Sequence, residues 1–365
     1  MIYCIIGTRA QLIKMAPIIA SIEEKGWPLS VIHTGQHMIS MDDLRNDFSL
    51  QTPWAYLIKK TEAKTVLSSL KWLIHILYLT VFRAKKIIPK AHHKKDIVLV
   101  HGDTFSTVIG ALMGKLSGAS VGHVESGLRS FNFLNPFPEE LNRLITFSLS
   151  NKAYCPGNWA VNNLKKYKHL ELVNTQQNTL IDSLNIAIKQ IKKEGSPLKE
   201  YGVVSIHRFE NIYNQKRLQF IINSVHEAAQ TTPIIFVMHP VTKKRLTKTR
   251  LLSSLQSNKN IILKNRCGYI EFTALLARST FVITDGGSNQ EELTYLKIPT
   301  LLMRKATERP EGLEENVVLS EYSSVITKSF LSEVQHNSGF VLPNTYCQKS
   351  PTKIIMHSLE QYINA

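Results

Sequence analysis

Apolar positions along the chain fall into two alternating patterns. Short β-rich runs, IYCII, LSVIHT, DIVLVHG and ASVGHVE, alternate with longer helical stretches, among them an Ile/Met/Ala helix after the first run and a helix over 107–116. A second series opens at YGVVSIH and continues through PIIFVMHP, NIILKN, TFVITDGG and PTLLMR, again with helices between. Such alternation is the signature of βαβ units on a parallel sheet. It predicts an α/β protein of two doubly wound, Rossmann-like domains with a cleft between them. A chain of 365 residues suits two cores better than one. The first domain is assigned to residues 1–170 and the second to 171–351, ahead of the turn signalled by IKKEGSP and the second series of strands.

Ligands in open α/β sheets bind beyond the carboxyl ends of the strands. Here those ends read Gly7-Thr8-Arg9, His33 through His37, His101-Gly102-Asp103-Thr104, His123 through Gly127, Ser205 through Arg208, Met238-His239-Pro240 and Thr284 through Gly287. Nearly every strand delivers polar, titratable or glycine residues to one edge.

One stretch, LSSLKWLIHILYLTVF over 67–82, is unusually apolar, yet it contains Lys71 and His75 and is shorter than the roughly 20 residues that span a bilayer. Flanking Arg83, Lys85 and Lys86 would suit a helix lying on an anionic membrane. Its place between two strands favours a sheet-covering helix or a subunit interface over membrane contact.

Composition narrows the class. Hydrophobic content of 43% with 20% charged residues is that of an ordered globular protein. The formal charge of +16 invites nucleic acid as a partner. The lysines cluster at helix ends and connections without interleaved aromatics or a DNA-binding motif, which reads as solvated surface, so no nucleic-acid partner is expected. Four scattered cysteines with no CxxC pair, and an N-terminus that runs straight from MIYCII into Gly-Thr-Arg, point to reduced thiols, no signal peptide and a cytoplasmic location.

Several residues could carry chemistry. Gly286-Gly287-Ser288, between a strand and a helix, has what a phosphate cradle requires, although such turns also simply end strands. Glu291 and Glu292 follow in the first helical turn, where they suit the helix dipole or could grip ribose hydroxyls. Arg9 and Lys14 place two cations at the first strand-to-helix turn, and Arg309 is either a phosphate ligand or the ion-pair partner of Glu308 or Glu311. Asp103, Glu125 and Glu139 fall at or just after strand ends. Inversion at carbon needs an acid or base on each face, which several acids converging on one cleft would satisfy; singly, each could be a helix cap. His207 with Arg208 suits leaving-group protonation or phosphate binding. There is no GxGxxG after the first strand, no Walker lysine, HExxH or nucleophile elbow, and no DxD pair, so neither a dinucleotide cofactor nor a metal is expected.

Taken together, Gly7-Thr8-Arg9, Ile13-Lys14-Met15-Ala16-Pro17, Thr34-Gly35-Gln36-His37, Gly102-Asp103-Thr104, Gly122 through Arg129, Pro138 through Arg143, His207 through Asn211, Gln290-Glu291-Glu292 and Thr307 through Gly312 resemble the non-hydrolysing UDP-N-acetylglucosamine 2-epimerases. The similarity runs in order from about residue 5 to residue 320. It implies a GT-B-like fold in which the second domain holds UDP and a final helix, about 352–365, returns to the first domain. It also implies a homodimer that inverts C2 of a UDP-N-acetylhexosamine through a 2-acetamidoglucal, feeding surface polysaccharide synthesis. Asp103, Glu125 and Glu139 would then be the acid-base carboxylates, with His207 assisting departure of the β-phosphate. Arg9, Lys14, Arg143 and Arg309 would surround the diphosphate, and Glu292 would hold the ribose. His37, Arg208, His239 and the turn Gly286, Gly287 and Ser288 complete the expected substrate contacts.

Three departures stand out. The usual Gly-Thr-Arg-Pro-Glu is Gly7-Thr8-Arg9-Ala10-Gln11, and the usual Asp-Ser-Gly-Gly is Asp285-Gly286-Gly287-Ser288. Met38-Ile39-Ser40 lacks the polar group associated with allosteric activation in the family, which leaves that activation open. Three rivals remain at this stage: a GT-B glycosyltransferase, a hydrolysing 2-epimerase and a non-catalytic UDP-sugar sensor.

Overall fold

The computed structural model describes residues 1–36, 41–58, 66–89, 95–133, 137–193, 201–307, 311–313, 315–336 and 350–364. His37 and Arg309 lie outside the described residues. In chain order the first elements are β1 (Ile2–Ile6), α1 (Arg9–Glu24), β2 (Leu29–His33), α2 (Asp42–Asp47), β3 (Trp54–Tyr56), α3 (Val66–Ile87) and β4 (Ile97–His101). They continue with α4 (Phe105–Ser117), β5 (Ser120–Val124), α5 (Glu139–Leu149), β6 (Lys152–Cys155), α6 (Asn158–Leu164), β7 (Glu171–Asn174) and α7 (Leu180–Lys193). The second series runs β8 (Gly202–Ser205), α8 (Phe209–Ile212), α9 (Gln215–Ala228), β9 (Ile234–Met238), α10 (Pro240–Lys248), α11 (Leu251–Ser257) and β10 (Ile261–Asn265). It ends with α12 (Tyr269–Ala277), β11 (Phe281–Thr284), α13 (Gly287–Leu296), β12 (Thr300–Leu302), β13 (Val317–Leu319), α14 (Ser324–His336) and α15 (Pro351–Asn364).

Two parallel sheets result, as the alternation predicts. The first has the order β3-β2-β1-β4-β5-β6-β7 and the second β10-β9-β8-β11-β12-β13. In each, the chain winds outward from a central strand, then crosses back and winds the other way, so the order reverses between β1 and β4 and between β8 and β11. Those two gaps are where loops at the carboxyl ends part and leave room for a ligand. Four strands have no counterpart in the predicted series. β3, β7 and β13 are edge strands of three or four residues with exposed positions, and β6 is the short run KAYC; none is long or apolar enough to stand out.

The chain divides into two compact units, Met1–Ser183 with Cys347–Ala365, and Leu184–Tyr346. The division falls inside α7, later than residue 170, because β7 completes the first sheet beside β6. The first turn of α7 is also tied to the first unit. α1 carries Pro17 in its interior, and a proline has no N–H for the carbonyl four residues back. That carbonyl, of Ile13, accepts instead from Ser183 Oγ at 2.5 Å. Thr352 N donates to Asp182 Oδ2 at 2.8 Å, and Tyr362 donates to Ser120 Oγ at 2.6 Å, so α15 also packs on the first unit. Beyond Ser183, α7 turns Leu184, Ile188 and Ile191 into the second unit's core with Val203, Val282 and Leu293.

The apolar stretch near residue 75 forms most of α3. Trp72, Ile76 and Ala84 are buried against the first sheet's core, with Trp72 Nε1 donating to Thr34 O at 3.3 Å. The opposite side is also apolar and open to solvent, with Ile74 60% and Phe82 71% exposed. Among the described residues no helix is long and apolar enough to cross a membrane.

Ser183→Ala should leave the part-buried Ile13 carbonyl without this donor and lower stability by about 1 kcal/mol in denaturant unfolding. Adding Pro17→Ala, which restores an N–H at that carbonyl, should recover most of the loss; strict additivity of the two changes would disprove the pairing.

Candidate functional site

At the β1/β4 reversal the decisive feature is a buried carboxylate. Glu125 follows β5 with φ +60°, a left-handed backbone that a non-glycine residue adopts only under constraint. Gly102, φ +68°, turns beside it; a Cβ there would lie 3.4 Å from Glu125 Oε2. Lys14, on α1, and Asn178, just before α7, both donate to Glu125 Oε1. Both members of the Lys14–Glu125 pair are under a tenth exposed, so each charge compensates the other where water cannot.

The turn that carries Asp103 is fixed from behind. His123 Nε2 lies 2.7 Å from Gly102 O, an acceptor, so that nitrogen bears the hydrogen and Nδ1 accepts from Ser126 Oγ at 3.0 Å. Burial pushes the His123 imidazole down to about 4, consistent with a neutral ring. Gln11 joins the first two loops: its Oε1 accepts from Gly7 N at 2.9 Å, and its Nε2 donates to His101 O at 2.7 Å and Thr107 Oγ1 at 3.0 Å. An ionised glutamate at this position could not donate to the His101 carbonyl, which explains how the departure at Gln11 is accommodated.

The three expected acids sit in different surroundings. Asp103 Oδ2 accepts from Arg143 Nε at 3.0 Å and also from Nη2. Arg143 Nη1 reaches Glu140 Oε2 at 3.3 Å, and Glu140 also binds Arg129 and Ser130 N. Burial alone would raise Glu140, but the Ser130 N–H and the two guanidiniums outweigh it and hold the carboxyl below its ordinary value. Glu140 is thus a fixed charge. Its neighbour Glu139, at the start of α5, has an Oε2 with no hydrogen-bond partner. Arg9, largely buried at the start of α1, pairs with the exposed Asp43. The cations expected around a diphosphate, Arg9, Lys14 and Arg143, are therefore engaged with carboxylates inside the first unit.

At the β8/β11 reversal the same problem has a different solution. Asp285 is fully buried and accepts from His207 N at 3.0 Å, Arg208 N at 2.9 Å and Asn211 Nδ2 at 2.9 Å. The carboxylate thereby moulds the loop that presents His207 and Arg208. His207 Nδ1 lies 3.5 Å from Asp285 Oδ1 while the side chain is 41% exposed, and Arg208 Nη1 makes no hydrogen bond. His239 caps the start of α10 with its ring 6.1 Å from that of His207; burial, with Arg266 and His207 nearby, pushes it down to about 4.

Gly286 is the N-cap of α13, and no side chain caps that end, which is the arrangement a helix N-terminus offers to an anion. A Cβ on Gly286 would come within 2.9 Å of His207 Cε1 and 2.4 Å of Asn289 Oδ1. Only glycine permits that approach. Glu292, buried one turn on, accepts from Asn289 Nδ2 at 3.2 Å and stands beside the Tyr269 hydroxyl, which burial and the Glu292 charge push well above its usual value. Among the described residues no group of three His, Cys, Asp or Glu side chains could hold a metal ion.

The family model for UDP-N-acetylglucosamine 2-epimerase matches residues 20–346. The UDP-N-acetylglucosamine 2-epimerase of Methanocaldococcus jannaschii is 33% identical over 341 residues, covering 89% of this chain and 90% of its own. That of Campylobacter jejuni is 32% identical over 335 residues, covering 87% and 84%. The chain belongs to the UDP-N-acetylglucosamine 2-epimerase family.

Its fold agrees. The M. jannaschii enzyme, solved in complex with UDP-GlcNAc and UDP, superposes with a TM-score of 0.78 at 30% identity, covering 99% of each chain. The Neisseria meningitidis enzyme bound to UDP-GlcNAc gives 0.79 at 26% identity, again over 99% of each. This enzyme is accordingly an isomerase of GT-B-like, doubly Rossmann architecture, and the transferase and sensor readings give way. Sequence reading passed over Gln11, Asn178, Asp285 and Asn211 as site residues. Asp285 and Asn211 stand inside quoted motifs, so position alone could have flagged them, whereas the link from Asn178 to Glu125 across 53 residues has no local signal.

Asp285→Asn in this epimerase turns one side-chain acceptor into a donor facing the N–H groups of His207 and Arg208. Stability should fall by about 3 kcal/mol in chemical denaturation, with loss of UDP binding in calorimetry; unchanged stability would show that the loop does not depend on the carboxylate.

Proposed function

We propose that the enzyme inverts C2 of UDP-N-acetylglucosamine without net hydrolysis, with Glu125 as the base that removes the C2 proton. The C2–H electron pair becomes the C1=C2 double bond of a 2-acetamidoglucal as the C1–O bond breaks, and UDP leaves with that bond's electrons. In the return step the UDP oxygen adds to C1 and C2 takes a proton on its opposite face. The observation that carries this is the buried Glu125 carboxylate held by Lys14 and Asn178, since donors to the charged form favour it and keep a base ready. Glu139, with an unpartnered oxygen, and Asp103, oriented by Arg143, serve the opposite proton transfer. His207, Arg208 and the α13 N-terminus take the diphosphate, His207 easing its departure, and Glu292 takes the ribose. The product, a UDP-N-acetylmannosamine-type donor, is consumed by transfer to a surface polysaccharide. The described cysteines, Cys4, Cys155 and Cys267, are all free thiols, which suits the reducing cytoplasm.

In deuterated water the enzyme should place deuterium at C2 of recovered UDP-sugar. Release of free N-acetylmannosamine and UDP in stoichiometric amounts would instead establish the hydrolysing reaction. Glu125→Gln should cut exchange by at least a hundredfold while UDP still binds; retained exchange removes Glu125 from the mechanism.

The homodimer has its own support. α3, α4 and α5 lie side by side on one face of the first sheet. Their outer sides expose Ile74, Leu77, Tyr78, Val81 and Phe82, then Leu116, then Leu141 and Ile145. Eight such side chains, roughly half exposed, offer several hundred Å² of apolar surface, the order of the about 800 Å² per partner that a stable interface needs. A face three helices wide suits a second copy better than the single stripe a bilayer surface takes up. Phe82→Glu with Val81→Glu should convert a dimer to a monomer in light scattering. A wild-type monomer that instead binds anionic vesicles would assign the face to a membrane.

A further inference from the structure

His101 ends β4 with its side chain only 3% exposed, and neither ring nitrogen makes a hydrogen bond. A buried polar group without a partner is destabilising, and apolar residues at a strand end avoid that cost, so an imidazole retained there calls for an explanation. Its surroundings supply one. His101 Nε2 lies 3.5 Å from Glu125 Oε2, just beyond a good hydrogen bond.

The backbone holds the ring at that place. The His101 carbonyl accepts from both Gln11 Nε2 and Thr107 Oγ1, and the next carbonyl, of Gly102, accepts from His123. Only side-chain rotation, of His101 or of Glu125, can close the remaining gap. Burial pushes the His101 imidazole down to about 3, against the opposing pull of Glu125, so the ring is neutral and carries a single N–H. An N–H pointed at a carboxylate has an acceptor, whereas the bare nitrogen would face oxygen lone pairs, so the hydrogen belongs on Nε2. Lys14 from α1 and Asn178 ahead of α7 act on the other oxygen, Oε1; His123 from β5, itself in the field of Arg143 from α5, is a further titratable group near the carboxylate.

We propose that His101 is a positioning residue that donates its Nε2–H to Oε2 of charged Glu125, fixing the carboxylate for proton abstraction and setting the pH at which it works. The hydrogen bond favours the anion over the acid, so its loss moves the onset of activity to higher pH. The inference rests on Glu125 being the base.

Gln and Met have the same reach at this site, but only Gln offers an N–H. With the full-length enzyme and UDP-N-acetylglucosamine, C2 exchange is followed from pH 5 to 9 in the wild type, H101Q, H101M and E125Q. H101M should shift the ascending limb upward by roughly one pH unit and lower kcat about tenfold with KM unchanged, while H101Q keeps the wild-type limb. An unmoved limb in H101M, or equal shifts in H101M and H101Q, overturns the proposal. Should H101M fail to fold, the ¹⁵N resonance of His101 Nε2 in the wild type decides: it moves as pH crosses the limb if the bond exists and stays fixed if it does not. Exchange surviving in E125Q defeats the base assignment itself; exchange abolished there with an unmoved H101M limb defeats only the role of His101.

Discussion

An ionised carboxylate moved out of water loses several kcal/mol of hydration, and the fold must replace it with donors held in the same place. Most of the polar architecture here follows from that requirement. In the first unit the replacement is cationic: Lys14 for Glu125, and Arg143 with Arg129 for Asp103 and Glu140. In the second it is largely neutral, two backbone N–H groups and an asparagine amide around Asp285. A cation next to an acid leaves a polar, responsive pair, suited to proton exchange. A cage of N–H groups gives a rigid loop, suited to presenting His207 and Arg208 to an anion.

The sheets decide where these carboxylates can sit. Strand order reverses at β1/β4 and at β8/β11, and only there do two loops diverge at the carboxyl edge. Lys14 lies on α1 after β1, Asp103 follows β4 and Glu125 follows β5, so the first cluster gathers from the segments that leave three neighbouring strands. His207 follows β8 and Asp285 follows β11, which are paired directly. Glycine enters where these loops crowd: Gly102 passes beside Glu125 and Gly286 beneath His207, positions where a methyl group would meet the functional side chain.

Compensation extends to neutral groups. Pro17 deprives the Ile13 carbonyl of its helical partner, and Ser183 supplies another from 170 residues away. The amide at Gln11 serves Gly7, Thr8, His101 and Thr107, tying the end of β1 to the end of β4, where a glutamate is the family's habit. Both are departures from ideal local structure that hold only because a distant element answers them.

The sequence by itself determined the strands long enough to stand out, the two doubly wound sheets, the glycine turns and the motifs that carry the family likeness, because each is written in residues close together in the chain. It could not assign the short edge strands, whose pairing comes from neighbours and not from their own apolar content. Nor could it separate Glu139 from Glu140, or foresee that Arg143 would be committed to Asp103. Those outcomes depend on which buried charge lies next to which donor, and partners such as Lys14 and Glu125, 111 residues apart, meet only after the strand order has been set.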